Sequence, residues 1–327
     1  MRIVLWLVAA VAAVYGGYWV VGSRALMSGA ETALAEMRTA GLADYGTMSL
    51  AGFPSRFDVT VTEPELTSAD GAVAWSAPEV RVHALSYRPH HIIAALPDRQ
   101  TVRLGRETVE VTSDELNASA VFGLDPSLPL DHAQAVGRQL GLVSDFGWGF
   151  AAEEARAAIR EGADPLTQEV GVELTGLTLS GVPADLISTG GVLPGRGERF
   201  YLDGRLGLDR PLDRFAPAAR VRIRAADIRA LALDWGPVKL AGKGALTIGA
   251  DGTPEGRLDL SIENWRAALK LMTALGMVRA ETAPTVERAL ESLALLGGNA
   301  ERLSMPLVFR AGRMSLGPVP LGPAPRF

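Results

Sequence analysis

The sequence predicts an α+β protein, in which an extended antiparallel β-sheet with helical insertions follows an N-terminal transmembrane helix. Three observations lead to this class. The chain begins with a long uncharged apolar run from Ile3 to Val21. Beyond it, most apolar residues alternate with polar ones, which is the period of half-buried strands. Pro and Gly separate these runs, as expected for turns between short strands.

The composition narrows the classes of function. A chain of 327 residues with 48% hydrophobic content can form one large or two ordinary domains, and is not disordered. The net charge of −5 gives no reason to expect a nucleic-acid partner. The absence of cysteine excludes thiol catalysis, iron–sulfur clusters and disulfides.

The apolar run predicts a membrane anchor. As a helix, residues 3–21 would be roughly 28 Å long, close to the bilayer core of about 30 Å. Trp6, Tyr18 and Trp19 lie toward its ends, where interfacial aromatic residues are common. A cleaved signal peptide is the alternative, but the run is longer than the usual apolar segment and no clean A-x-A cleavage site follows it. We expect an uncleaved signal anchor at 1–22 and a helical stalk at 23–42.

The flanking charges give little information on orientation, because Arg2 precedes the run and Arg24 follows it. A short N-terminal stub before about 300 further residues favours translocation of the larger part. The prediction is a single-pass inner-membrane protein with the bulk of the chain in the periplasm.

Two β-rich halves are expected after the stalk. The first, 43–165, would contain strands and then helices, since Asp125 to Ala163 has a helical pattern that is clearest in EEARAAIRE at 153–161. The second, 166–327, would contain strands and two late helices. These are predicted at Trp265–Leu275 and Pro284–Leu296, with Thr282 as N-cap and Gly297 at the stop.

A short internal similarity suggests that the halves are related. Ser49–Phe57 and Thr178–Leu186 share Leu, Gly and Pro at equivalent positions. Either the β-rich unit is repeated, or both segments converged on a Gly-x-Pro turn between strands. Both interpretations remain open.

The clearest strands have two chemically different faces. Arginine and apolar residues alternate at 220–224, and polar and apolar residues alternate at 257–263. The polar set is most simply a solvated face, although it could also contact an anionic headgroup or a partner surface. If the strands are neighbours, Arg222 or Arg224 would face Asp259 or Glu263.

If helices leave the apolar residues of these strands uncovered, those residues would form a groove for lipid. The candidate groove residues are Val221, Ile223, Leu258, Leu260 and Ile262, and the candidate polar contacts are Arg220, Arg222 and Arg224.

The search for catalytic residues gives none. His83, His90, His91 and His132 are the only imidazoles, and none has the spacing of a metal-binding pair. No G-x-S-x-G motif occurs, and the Gly-rich stretch at 190–197 lacks the G-K-[ST] of a phosphate loop. We therefore predict no catalytic residue, no metal site and no cofactor.

Several segments carry a family resemblance: the apolar start, GFPSRF at 52–57, the run from Leu233 to Trp265, and LGPVPLG at 316–322. Together they resemble the bacterial domain-of-unknown-function family 2125 of signal-anchored envelope proteins, over essentially the whole chain. These motifs are turns and strands, and the resemblance implies no catalytic residues. The Gly-punctuated strands are also similar in style to AsmA-like envelope proteins, which implies a hydrophobic groove for lipid.

The expected function is that of a non-enzymatic, membrane-anchored envelope protein that binds or guides lipid through an apolar sheet groove. Its expected partners are the membrane, through residues 3–21, and a lipid or another envelope protein. The alternative is an anchored periplasmic scaffold that binds another envelope protein and has a fully covered sheet.

Overall fold

The computed structural model describes residues 2–181, 194–216, 221–274, 278 and 281–326, except for the side chains of residues 2–13, 271 and 274. Within these described residues the helices are α1 (Arg2–Thr39), α2 (Trp265–Ala274) and α3 (Ala283–Leu296). The strands in the same described part are β1 (Ala43–Asp44), β2 (Met48–Ala51), β3 (Arg56–Thr62), β4 (Glu65–Thr67), β5 (Val73–Ser76), β6 (Glu79–Leu85), β7 (Arg88–Leu96), β8 (Arg99–Leu104), β9 (Glu107–Thr112), β10 (Glu115–Phe122), β11 (Leu130–Ser144), β12 (Trp148–Glu161), β13 (Thr167–Gly181), β14 (Arg196–Leu208), β15 (Ile223–Trp235), β16 (Val238–Ile248), β17 (Pro254–Glu263), β18 (Arg302–Arg310), β19 (Arg313–Leu316) and β20 (Val319–Pro323). The predicted antiparallel sheet is confirmed, and it makes up most of the molecule.

The C-terminal part of the sheet is a meander. From β10 to β20, each strand pairs with the next strand along the chain, always antiparallel. The strands β11 to β17 have 10 to 15 residues each, which is long for a globular protein. Most of the meander strands were predicted from alternating apolar residues.

The N-terminal part divides into two arms at β11. The first half of β11 pairs with β10, which continues through β7, β6 and β3 to β2. The last residues of β11 pair with β9, which continues through β8, β5 and β4 to β1. Successive hairpins therefore alternate between the arms.

The predicted helices at the two ends of the chain are confirmed. Helix α1 is continuous from residue 2 to residue 39, and Gly41 then takes a left-handed φ of 70°. In α3, Thr282 occupies the N-cap position, and the N–H of Gly297 donates to the carbonyl oxygen of Leu293 at the other end. Over the described residues, no helix has both the length and the apolar character that crossing a membrane requires.

The helical pattern predicted for residues 125–163 is wrong, because this region forms β11 and β12. The segment at 153–161 is rich in Ala, Glu and Arg, which are strong helix formers. In the structure Ala155, Ala157 and Ile159 face one side of the sheet, and Arg156 and Arg160 face the other. Pairing along both edges of β12 outweighs the intrinsic preference for helix.

The predicted boundary between residues 165 and 166 lies in the turn between β12 and β13, which pair along most of their length. Of the two similar segments, Ser49–Phe57 spans the turn between β2 and β3. The other ends β13, and its residues 182–186 lie outside the described part of the chain. The repeat therefore remains a hypothesis.

Candidate functional site: an apolar groove on the sheet

One face of the sheet is apolar across both parts of the fold. Residues that pair across a ladder project to the same side, so the register identifies this face. One such row crosses thirteen strands from β2 to β18, about 57 Å at the usual strand spacing. Its members are Leu50, Val59, Val82, Ala94, Ala118, Ala135, Ala157, Val172, Leu202, Leu231, Gly242, Leu260 and Met305.

The middle of this face forms a groove with a volume of about 380 Å³. It lies on β7 and β10–β13, and most of its lining residues are apolar, with Ser119 and Gln134 as the polar exceptions. Among the lining residues none is charged, and none belongs to a helix. The apolar-face residues that line it are Ile92, Ala94, Ala118, Ala120, Ala133, Ala135, Ala157, Ile159, Val170 and Val172. We call this feature the apolar groove.

Alanine accounts for the depth of the groove. At Ala118, Ala135 and Ala157 the side chain ends at Cβ, so the surface lies close to the backbone. The same row continues to the larger Leu202 and Leu231, which rise above it on one side. The groove residues are half-buried or exposed, in contrast to the core beneath the helices.

The apolar alternation breaks at one level of the sheet, and residues with positive φ mark this break. On β13 the apolar positions step by three from Leu174 to Leu177, and Gly176 between them has a φ of 60°. On β11, Gln139 has a φ of 50° at the equivalent break. The register between β12 and β13 is the same on both sides of the break, so both strands take the three-residue step and their apolar residues stay on one face. Leu177 and Leu174 therefore pack together in one apolar cluster.

Helices α2 and α3 cover the apolar face of the sheet at β16–β18. The groove therefore does not lie on the strands where the sequence predicted it. Leu258, Leu260 and Ile262 are buried in one core with Trp265 of α2 and Leu290 of α3, and are only 5–9% exposed. Ile223 is half-buried against the same core, and Val221 is half-buried just before β15. The amphipathic pattern identified the correct face, whereas the choice of strands was wrong because α2 and α3 bury their apolar sides there.

The predicted polar contacts are separated from the acids that they were expected to face. Strand β16 lies between β15 and β17, so Asp259 pairs with Arg257 and Glu263 pairs with Arg302. Arg224 instead lies 3.9 Å from Asp209. Arg222 is exposed, and Arg220 lies outside the described residues.

The backbone N–H of Arg222 donates to the carboxylate of Asp209 at 2.9 Å, and this hydrogen bond holds the pKa of Asp209 below its ordinary value.

The opposite face carries a network of ion pairs behind the groove. Glu169 on β13 accepts from Nε of Arg160 at 2.8 Å and from Nη1 of Arg229 at 3.2 Å. Arg229 also donates to Asp203 at 2.7 Å, and Arg205 lies 3.7 Å from Glu169. The hydrogen bonds from Arg160 and then Arg229 lower the pKa of Glu169. The bonds to Asp203 and Glu169 raise the pKa of Arg229.

The histidines form no shared site in the described part of the chain. His83 Nδ1 lies 2.8 Å from Asp58, and His132 Nδ1 lies 2.8 Å from Asp131. His90 and His91 are consecutive on β7 and thus point to opposite faces. Within the described residues, no three His, Asp or Glu side chains are arranged to hold a metal ion.

The residues that line the groove escaped prediction, although the sequence carried a signal for them. In ELNASAVF, Leu116, Ala118 and Ala120 alternate with Asn117 and Ser119. The same period-two pattern, with alanine as the apolar member, occurs on β11 and β12. Alanine is a weak marker of a strand face and a strong helix former, so the pattern on β11 and β12 predicts helix as well.

Comparison with known proteins gives one family. No curated protein matches the chain. A bacterial family described as "uncharacterized protein conserved in bacteria (DUF2125)" matches residues 19–325, which include the groove strands and both late helices. The resemblance inferred from the turn and strand motifs is thereby confirmed, and the chain belongs to this family.

Proposed function

We propose that this protein is a non-enzymatic, membrane-anchored envelope protein that binds the acyl chains of lipids in the apolar groove. The observation that carries the proposal is an apolar face that, among the described residues, is half-exposed at β7 and β10–β13 and covered by helices at β16–β18. Exposed apolar surface of this extent is rare unless it binds something.

The chemistry of the lining favours a hydrocarbon chain as occupant. Ala, Val and Ile side chains offer no hydrogen bonds and no charge, so they suit a ligand that is itself apolar. Each methylene removed from water contributes about 0.8 kcal/mol, so about ten buried methylenes would contribute about 8 kcal/mol. The groove crosses five adjacent strands, about 19 Å at the usual strand spacing, against roughly 15 Å for one leaflet of a bilayer core. The groove is therefore long enough for an acyl chain.

The apolar run at 3–21 supports the membrane part of the proposal. Its length and lack of charge are typical of a spanning helix, and it continues without a break into the stalk. In this arrangement the groove-bearing sheet stands next to the bilayer from which lipid would come. Its compartment is proposed to be the periplasm.

Site-specific photocrosslinking in native membranes tests the proposal. A benzophenone amino acid replaces Ala135, which lines the groove, or its neighbour Val136, which projects from the opposite face. We expect a phospholipid adduct, identified by mass spectrometry, at position 135 and several-fold less at position 136. Equal labelling at both positions would overturn the lipid proposal. A protein adduct confined to position 135 would overturn it as well, and would favour the anchored scaffold.

A further inference from the structure

Side chains of α1 form hydrogen bonds with one end of the sheet. In the turn between β6 and β7, Ser86 is fully buried. The hydroxyl oxygens of Tyr15 and Ser86 lie 3.0 Å apart, and Tyr18 donates to the carbonyl oxygen of Ser86 at 2.7 Å. Trp19 Nε1 donates to the carbonyl oxygen of Arg56 at 2.8 Å. Helix α1 is therefore docked on the sheet before it continues into the stalk.

Two large aromatic side chains stand exposed at this junction. Phe53, in the turn between β2 and β3, is 62% exposed and packs edge-on against Trp19, with ring centroids 5.2 Å apart. Tyr87, which follows Ser86, is also 62% exposed. Leaving two such rings in water is unfavourable, and both lie beside the segment of α1 that belongs to the apolar run.

The contacts with α1 fix the depth of these rings if residues 3–21 cross the membrane. At 1.5 Å per residue, Trp19 lies about 3 Å and Tyr15 about 9 Å before Val21, the last residue of the run. Phe53 touches Trp19, and Tyr87 adjoins Ser86, the partner of Tyr15. Both rings therefore lie beside roughly the last 9 Å of the apolar run, close to the zone where Trp and Tyr are enriched at membrane interfaces.

The junction also connects to the groove. Phe57 packs against Trp19, with ring centroids 6.0 Å apart, and a Cβ added at Gly22 would lie 3.2 Å from its ring. In the register, Phe57 pairs with Ala84 and Ala84 with Ile92, which lines the groove. A second row of apolar residues, Phe57, Ala84 and Ile92, thus runs from α1 to the groove.

We propose that Phe53 and Tyr87 insert into the membrane interface beside α1 and hold this end of the sheet on the bilayer surface. The partner is the lipid bilayer itself. The exposed guanidinium groups of Arg24, Arg56 and Arg88 lie in the same three segments and suit contact with lipid phosphates. This inference rests on the proposed membrane anchor. It adds that the row of Phe57, Ala84 and Ile92, which leads to the groove, begins at the membrane interface.

Environment-sensitive fluorescence tests the insertion. Because the chain contains no cysteine, Phe53→Cys and Tyr87→Cys each create a single labelling site in the full-length protein. Phe146→Cys is the matched control, since Phe146 is 64% exposed in the turn at the far end of β11, about 40 Å along the strand. Each variant is labelled with nitrobenzoxadiazole and reconstituted into vesicles of phosphatidylethanolamine and phosphatidylglycerol, with or without a lipid that carries a quencher near its headgroup.

We expect a blue-shifted emission and several-fold stronger quenching at positions 53 and 87 than at position 146. Flotation of the vesicles separates the two proposals. If the protein does not float with the vesicles, the membrane anchor is overturned. If it floats but positions 53 and 87 are quenched no more than position 146, the insertion is overturned and the anchor stands. Circular dichroism of each variant verifies that the sheet is retained.

Discussion

Nη1 of Arg229 lies 3.2 Å from Oε1 of Glu169, although the two residues are 60 positions apart and their strands do not pair. Strand β14 separates them, and it contributes Asp203 to the same network. Arg229 sits at the break in register between Ile228 and Leu231, so a bulge directs its side chain across the neighbouring strand. Cross-strand ion pairs thus tie the sheet together on the face opposite the groove.

This network predicts a loss of stability in acid. The pKa of Glu169 is lowered in the folded protein, so its carboxylate stabilises the fold above the pKa of the unfolded chain. That contribution is lost as the pH falls from about 5 through the folded pKa. We expect the melting temperature of Glu169→Gln to fall less in this window than that of the native protein. Melting curves measured from neutral to acidic pH test this, and parallel curves for the two proteins would contradict it.

Filling the groove is expected to block lipid. Ala157→Trp places a large ring in the apolar groove, whereas Val136→Trp on the neighbouring strand β11 projects from the opposite face and lies outside the lining of the groove. With a photocrosslinker at position 118, we expect the lipid adduct to drop several-fold in Ala157→Trp and to persist in Val136→Trp. Equal adducts in both variants would show that the ligand does not occupy this part of the face.

The helical cover at β16–β18 is expected to be a major source of stability. Leu290 is 2% exposed in the core beneath α3, so Leu290→Ala should cost about 2–5 kcal/mol of unfolding free energy. Leu296 on the same helix is 85% exposed, and Leu296→Ala should change stability by less than about 0.5 kcal/mol. Urea denaturation followed by tryptophan fluorescence measures both, and similar midpoints would argue against a packed cover.

The left-handed backbone at the break in β13 requires a glycine. Gly176 has a φ of 60°, and an added Cβ would lie 2.5 Å from the carboxylate of Glu153. Gly176→Ala should destabilise β13 by about 1–2 kcal/mol, because a left-handed backbone is costly for a residue with Cβ. Gly171→Ala on the same strand is the control, since its Cβ would meet no atom closer than 3.9 Å.

Hydrogen exchange of the β13 amides measures the opening free energy of each variant. Faster exchange in Gly176→Ala than in Gly171→Ala is the expected result. Equal protection of the two variants would mean that position 176 tolerates a side chain.

How much of the secondary structure the sequence predicts depends on which apolar residue types alternate along each strand. Val109 and Val111, or Leu258 and Leu260, alternate with polar residues and predict strands that the structure contains. Alanine at 155 and 157 marks helix and strand alike, so only pairing with β11 and β13 decides between them. The choice is made by partners distant in sequence, which a local pattern does not contain.

The candidate site shows the same limit. The pattern at Leu258, Leu260 and Ile262 specifies an apolar face, but not whether another element lies over it. The helix that supplies Leu290 follows some thirty residues later, and its docking depends on the folded chain. Conversely, the groove exists because the short side chains of Ala118 and Ala135 become neighbours across a ladder.

The order of pairing also governs how the chain can reach this state. In the meander each strand needs only its immediate predecessor, so ordered structure can grow one hairpin at a time with short loop closures. In the arms, β3 pairs with β6, β5 with β8 and β7 with β10. A hairpin of the other arm separates the two strands of each pair along the chain, so each pairing requires a longer loop closure. Assembly of the arms should therefore be the slow kinetic step, and β11, which borders both, is where that step is completed.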